Sequence, residues 1–154
     1  MAVAVTQNTT RLVRVRFPLA RETVHYPPAS EETLWSEELG EGRYRVDNIP
    51  FFVRGIAVDD VVEATSGDEM PTFLRLLQPS GHSTMRVIVY DAEEVAKVRE
   101  EFHLLGCATE SMSNSRLIAI DVPPSADLAR VRSQLERGHA EERWDYEEAA
   151  VATE

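Results

Sequence analysis

Two short stretches hold the side chains best suited to chemistry. The first is Asp47-Asn48-Ile49-Pro50-Phe51-Phe52, with Arg45 before it and Arg54 after it. A carboxylate, an amide and two guanidinium groups stand beside two aromatic rings, which can supply polar contacts and an apolar wall to one ligand. The second is Gly81-His82-Ser83-Thr84. His82 can act as a general base or bind an anion, with the Ser83 and Thr84 hydroxyls as donors. Each stretch also has a plainer reading. Asp-Asn pairs cap turns, and Ser83 and Thr84 can satisfy backbone groups in a linker while His82 hydrogen-bonds across it.

Other chemistry finds less support. Asp59-Asp60 are adjacent carboxylates, and on a strand they point to opposite faces, so they read as a turn rather than a metal site. His25, His103 and His139 keep no metal-ligand spacing with one another or with acids. Cys107 stands alone, which rules out an intramolecular disulfide and makes it a buried, inert thiol by default. There is no G-x-S-x-G elbow, and the seven glycines form no phosphate-binding loop. The expectation is no metal and no cofactor.

Charge narrows the partners. The chain of 154 residues has a net charge of −11, which disfavours duplex DNA and anionic membranes, since both call for a positive footprint. Arg11, Arg14 and Arg16 concentrate three cations, read as a solvated face or as an anion-binding edge. The N-terminus lacks the basic and apolar regions of a signal peptide. No run approaches the ~20 apolar residues of a membrane helix. The default location is the cytoplasm.

The elements that position these residues are mostly strands. Leu12–Phe17 alternates, with Val13, Val15 and Phe17 on one side. Residues 33–39 and 43–46 form a hairpin around Gly40-Glu41-Gly42. Residues 58–64 and 72–78 supply two more strands, the second also readable as a short helix, with turn signals at Ser66-Gly67-Asp68 and Pro79-Ser80-Gly81. Strands so closely spaced predict a small barrel or a strongly curved sheet. Trp35, Phe51, Phe52 and Trp144 are expected in the core.

From Met85 the pattern changes. Met85–Tyr90 is an apolar strand, and Asp91 with Glu94 suggests a capping box. Val95, Val98, Phe102 and Leu105 recur at helical spacing up to Gly106. Residues 107–110 and 115–121 are strands. A second helix runs from Pro123 with Leu128, Val131 and Leu135 inward, and ends at Gly138. Residues 143–146 make a last strand, and the acidic tail from Glu147 is expected to fray. The order β-α-β-β-α-β is the ferredoxin-like pattern. The fold class is therefore α+β: a β-rich, barrel-like unit over 10–82 packed on a ferredoxin-like unit over 83–147.

Several of these residues together resemble a known set. Leu34-Trp35, Gly42 to Phe52, Gly55, Asp60-Val61-Val62 and Ser80-Gly81-His82-Ser83-Thr84 are similar to a bacterial family known as domain of unknown function 4265. The resemblance spans about Leu12 to Tyr146, and it implies no reaction, cofactor or partner.

Three functions follow as expectations. The leading one is a small, soluble, non-catalytic binding or regulatory protein for an unidentified protein or small molecule, with a homodimer as one open assembly. The second is a small-molecule enzyme with a site at the junction of the two units, using His82 and Asp47 with Arg45 or Arg54. The third, resting on the charge alone, is an acidic immunity-type inhibitor of a basic protein.

Overall fold

Alternating apolar residues set the strands Leu12–Pro18 and Arg43–Val46. The computed structural model describes residues 10–65 and 69–153. The leader read over 1–9 and the turn at Ser66-Gly67-Asp68 lie outside them. Strands β1 (Leu12–Pro18), β2 (Glu31–Gly40), β3 (Arg43–Val46), β4 (Val61–Ala64) and β5 (Phe73–Gln78) form one antiparallel sheet in that order. The β2–β3 turn has Glu41 at φ 59° and Gly42 at φ 76°, the twist that a tight hairpin requires. A Cβ on Gly42 would meet the Ala64 carbonyl at 3.3 Å, so glycine there also admits the neighbouring strand. The sheet curls until its ends meet: Arg16 bridges Thr72, and the Arg16 N–H donates to the Pro71 carbonyl at 2.8 Å. Val15, Phe17, Leu34, Tyr44, Val46 and Val62 fill the inside, and Phe17 stacks on Phe73 at 4.9 Å.

Strands β6 (Ser83–Val89), β7 (Ala108–Ser111), β8 (Leu117–Val122) and β9 (Trp144–Ala150) form a second antiparallel sheet in the order β7-β8-β6-β9. Helix α1 (Val95–Leu104) connects β6 to β7, and α2 (Leu128–Ala140) connects β8 to β9. Met85, Val87 and Val89 of β6 and Ile118, Ile120 and Val122 of β8 share one core with Val98 and Phe102 of α1 and Val131 and Leu135 of α2. Both helices thus cover the same sheet face. Burying each such side chain is worth about 1.5–3 kcal/mol. Among the described residues the chain is α+β, with two antiparallel sheets and two α-helices.

The opposite face of the second sheet carries Thr84 and Arg86, and it meets the loop between β3 and β4. Thr84 Oγ1 donates to the Ile56 carbonyl at 3.0 Å. Arg86 donates from Nη1 to the Pro50 carbonyl at 2.9 Å and from Nη2 to the Val53 carbonyl at 2.7 Å. The loop therefore covers the part of this face around Thr84 and Arg86.

Several expectations need correction. Asp91 caps the turn before α1 by accepting from the Glu93 N–H, and Glu94 makes no reciprocal capping bond. The second helix starts at Leu128, capped by Asp127, rather than at Pro123. Gly138 does not stop it. This glycine lies inside α2 because the Trp144 ring occupies the space a Cβ would fill, and His139 is consequently helical. Strand β6 begins at Ser83, so Ser83 and Thr84 are strand residues. The tail from Glu147 does not fray: β9 continues to Ala150, because Glu147 and Glu148 are held by arginines of the sheet and of α2. Trp35 is 42% exposed and not core. Leu34 and Ser36 take the inward positions of β2, and Trp35 faces out beneath the Arg14 guanidinium, 5.0 Å away.

Candidate functional site

The connection between the sheets is stitched by short polar side chains. Asp60, buried, accepts from the Ala57 N–H at 2.9 Å and from the Ser80 N–H at 2.8 Å. Ser80 Oγ donates to the Val58 carbonyl at 2.7 Å and accepts from the His82 N–H at 3.1 Å. These bonds pin the β3–β4 loop to the segment entering β6, and they fix the backbone of His82.

The His82 ring is held between two carboxylates. Its Nδ1 lies 2.9 and 3.1 Å from the Asp121 oxygens, and its Nε2 lies 3.4 Å from Asp59 Oδ2. A carboxylate only accepts, so the ring donates to Asp121 through Nδ1–H. Asp59 can accept from Nε2 when the ring carries both protons. Asp121 belongs to β8, opposite Thr84 in register. Burial raises the Asp121 carboxyl above its ordinary value, and the His82 hydrogen bond opposes that rise. Cys107 stands on the helix side of the same sheet. Burial, with a smaller contribution from Asp121, pushes its thiol up to about 11.

His82 opens onto a cleft of about 470 Å³ between the two sheets. Gly55, Ala57, Leu76 and Pro79 wall one side, and the chain after β9, Val151 to Thr153, walls the other.

The other sequence candidates disperse. Asp47 does not line this cleft. Its N–H donates to the Trp35 carbonyl at 2.9 Å, and its carboxylate acts on Glu110, whose carboxyl is raised first by burial, against Arg99, and then by Asp47. Asn48 Oδ1 accepts from the Trp35 N–H at 2.8 Å, a bond that secures the turn. Ser83 Oγ accepts from the Ala152 N–H at 2.9 Å, and the Thr84 hydroxyl is committed to the Ile56 carbonyl. Arg45 pairs with Glu37 across the β2–β3 hairpin at 2.8 Å. Phe51 and Phe52 are half-buried. Phe52 and Arg54 line a different hollow of about 250 Å³, beside Phe17 and Phe73. Of the amino-terminal arginines, Arg11 and Arg16 pair with Glu38 and Glu31, and Arg14 covers Trp35.

Sequence reasoning missed the acids that organise these groups. Glu32 accepts from three successive N–H groups, those of Phe51, Phe52 and Val53, at 2.7–3.0 Å. It holds the loop in the conformation that meets Arg86. Arg86 itself is 2% exposed and donates from Nε to Glu147 at 2.7 Å. Glu147 also accepts from Arg54, which reaches Glu22 as well. A charged residue inside the apolar strand Met85–Tyr90 is the one signal for Arg86, since a buried cation calls for a partner. Nothing in the sequence identifies that partner.

A model of the family described as Domain of unknown function (DUF4265) matches residues 32–146. No curated protein matches the chain. Among solved structures, a crystal structure titled as a hypothetical protein from Neisseria gonorrhoeae is similar at a TM-score of 0.72. The two share 19% identity, and the match covers 96% of this chain and 99% of that one. At that identity the likeness concerns the fold.

Proposed function

The chain belongs to the DUF4265 family, and from that premise we propose that it is a small non-catalytic binding protein whose ligand enters the cleft at His82. The observation behind this reading is the fixed ring. His82 is held by Asp121 through Nδ1, with Asp59 3.4 Å from Nε2, and it faces a hollow of about 470 Å³. A positioned imidazole in a cleft supplies one directional polar contact, and the small residues around it leave room for a ligand. The proposed framework has two subdomains. The first, over 10–82, is β-rich and barrel-like, a description supported by the Arg16–Thr72 bridge. The second, from residue 83, is ferredoxin-like, supported by the strand order and the two helices on one face.

The test replaces His82 by Gln and by Ala, and measures urea unfolding separately from thermal-shift responses to a panel of small metabolites. Unchanged stability with lost responses supports the binding role. A large loss of stability in both variants, with the responses retained, makes His82 a structural clamp and overturns it.

A second reading is an enzyme in which Asp121 takes the place expected for Asp47 and orients His82 as a general base. The observation favouring it is the 2.9 Å Asp121–His82 contact, since a carboxylate on one ring nitrogen is how a catalytic imidazole is commonly held. Turnover of any panel member, lost in both His82→Gln and Asp121→Asn, would select it.

A further inference from the structure

The face of the second sheet opposite its helices is only partly covered. The β3–β4 loop lies over Thr84 and Arg86. Two residues further along β6, Ile88 is 43% exposed, and its register partner on β8 is Leu117. Tyr26, from the connection between β1 and β2, closes over this apolar floor, and the β9 backbone from Asp145 to Glu147 completes a pocket of about 150 Å³. A cavity of roughly that size accommodates a single benzene ring. It shares no lining residue with the His82 cleft.

Charge decides what fits. The pocket contains Arg86, Glu147 and Asp145; the first two pair with each other, and Asp145, its side chain 66% exposed, is screened by water. Glu147 accepts from Arg86 at 2.7 Å and from Arg54 at 2.8 Å. Asp145 accepts from the Tyr90 hydroxyl at 2.7 Å. An ionic ligand would lose hydration there without gaining an unpaired counter-ion that is itself buried. Tyr26 differs. Its ring is half-buried and its hydroxyl bonds to no group among the described residues, although Glu147 and Arg86 lie near enough to act on it. It provides one free directional donor beside an apolar slot.

We infer that this pocket is a second binding site, taking a small neutral aromatic molecule of single-ring size with one oxygen that accepts from the Tyr26 hydroxyl. The apolar walls hold the ring, and the paired charges at the rim exclude its ionised analogues.

The probe is 4-fluorophenol, followed by fluorine NMR on the full chain, with 4-fluorobenzoate and 4-fluorobenzylamine as charged counterparts. The phenol is expected to bind at least about tenfold more tightly than either ion, given that both must shed hydration beside buried charges that are already paired. Tyr26→Phe should weaken it roughly two- to tenfold, the worth of one hydrogen bond. Leu117→Trp should abolish it by filling the slot, with an amide spectrum that verifies folding. Ile88→Trp, at an exposed position, serves the same purpose if Leu117→Trp does not fold. Three results each overturn the inference: no response to the phenol at millimolar concentration, equal binding of the ions, or unchanged binding in a folded, slot-filled variant. None of these bears on His82, so this site and the junction cleft stand or fall separately.

Discussion

Arg86 Nε lies 2.7 Å from Glu147 Oε1, and the arginine that makes this contact is almost wholly buried. The same guanidinium donates to the carbonyls of Pro50 and Val53. One side chain therefore joins β6 to β9 and ties the second sheet to the loop of the first. Replacing Arg86 by Met should cost about 3–5 kcal/mol, because it leaves two buried carbonyls without their donor and the partly buried Glu147 carboxylate with Arg54 alone. Urea unfolding of the two proteins checks this. A loss below ~1 kcal/mol would show that water replaces the arginine with little penalty.

Asp121 gives a pH signature with a definite sign. Its carboxyl is raised above 3.8, with burial the largest cause. The folded state thus holds this proton more firmly than the unfolded state does. The stability it contributes is fully present below the unfolded value and is lost as pH rises through the raised folded value. Relative to Asp121→Asn, the wild-type protein should lose stability as pH rises from about 3 through that range, and the difference should then level off. Unfolding curves across the acid range measure it. A difference growing in the opposite direction would mean that the His82 hydrogen bond outweighs burial.

Local pattern makes the strands readable, and distance in the sequence hides the site. The alternation in Leu12–Phe17 and in Arg43–Val46 places β1 and β3 directly, since Val15, Phe17, Tyr44 and Val46 need only a neighbouring sheet to bury them. His82 stands out by its type and its place after a chain break. Its partner does not. Asp121 is next to last in an apolar strand 39 residues away, and only the β6–β8 register sets it opposite Thr84. A single sequence specifies register weakly, yet a shift of one residue would turn Asp121 to the other face. The same holds for Glu147, 61 residues from Arg86. Read locally, Glu147-Glu148 is a charged tail. Paired with buried and helical arginines, it is the outer half of an edge strand.

Cys107 should be nearly unreactive in the folded protein. Its thiol is raised from 9.0 to about 11 by burial, and only the thiolate attacks a disulfide reagent. A rise of that size lowers the thiolate fraction near pH 8 about 100-fold. Titration with an aromatic disulfide reagent should be slower by at least that factor in native protein than in urea. Comparable rates would show that the chain around Cys107, just before β7, opens readily.

Gly138 supplies the sharpest test of packing. It is buried inside α2, and a Cβ there would overlap the ring of Trp144. That ring is fully buried against Phe102, with centroids 5.8 Å apart, and its Nε1 donates to the Leu135 carbonyl at 3.1 Å. It has neither space nor a free rotation with which to yield. In an exposed helix interior, Gly→Ala stabilises by about 1 kcal/mol. Here the overlap should reverse the sign, and Gly138→Ala should destabilise by about 1–3 kcal/mol through overpacking. Combining it with Trp144→Phe, which removes the atoms in conflict, should recover part of the loss, so the two changes will not be additive. Unfolding free energies of the two single variants and the double variant close this cycle. A stabilising Gly138→Ala would mean that α2 can shift away from β9, and the assignment of this contact as rigid would fail.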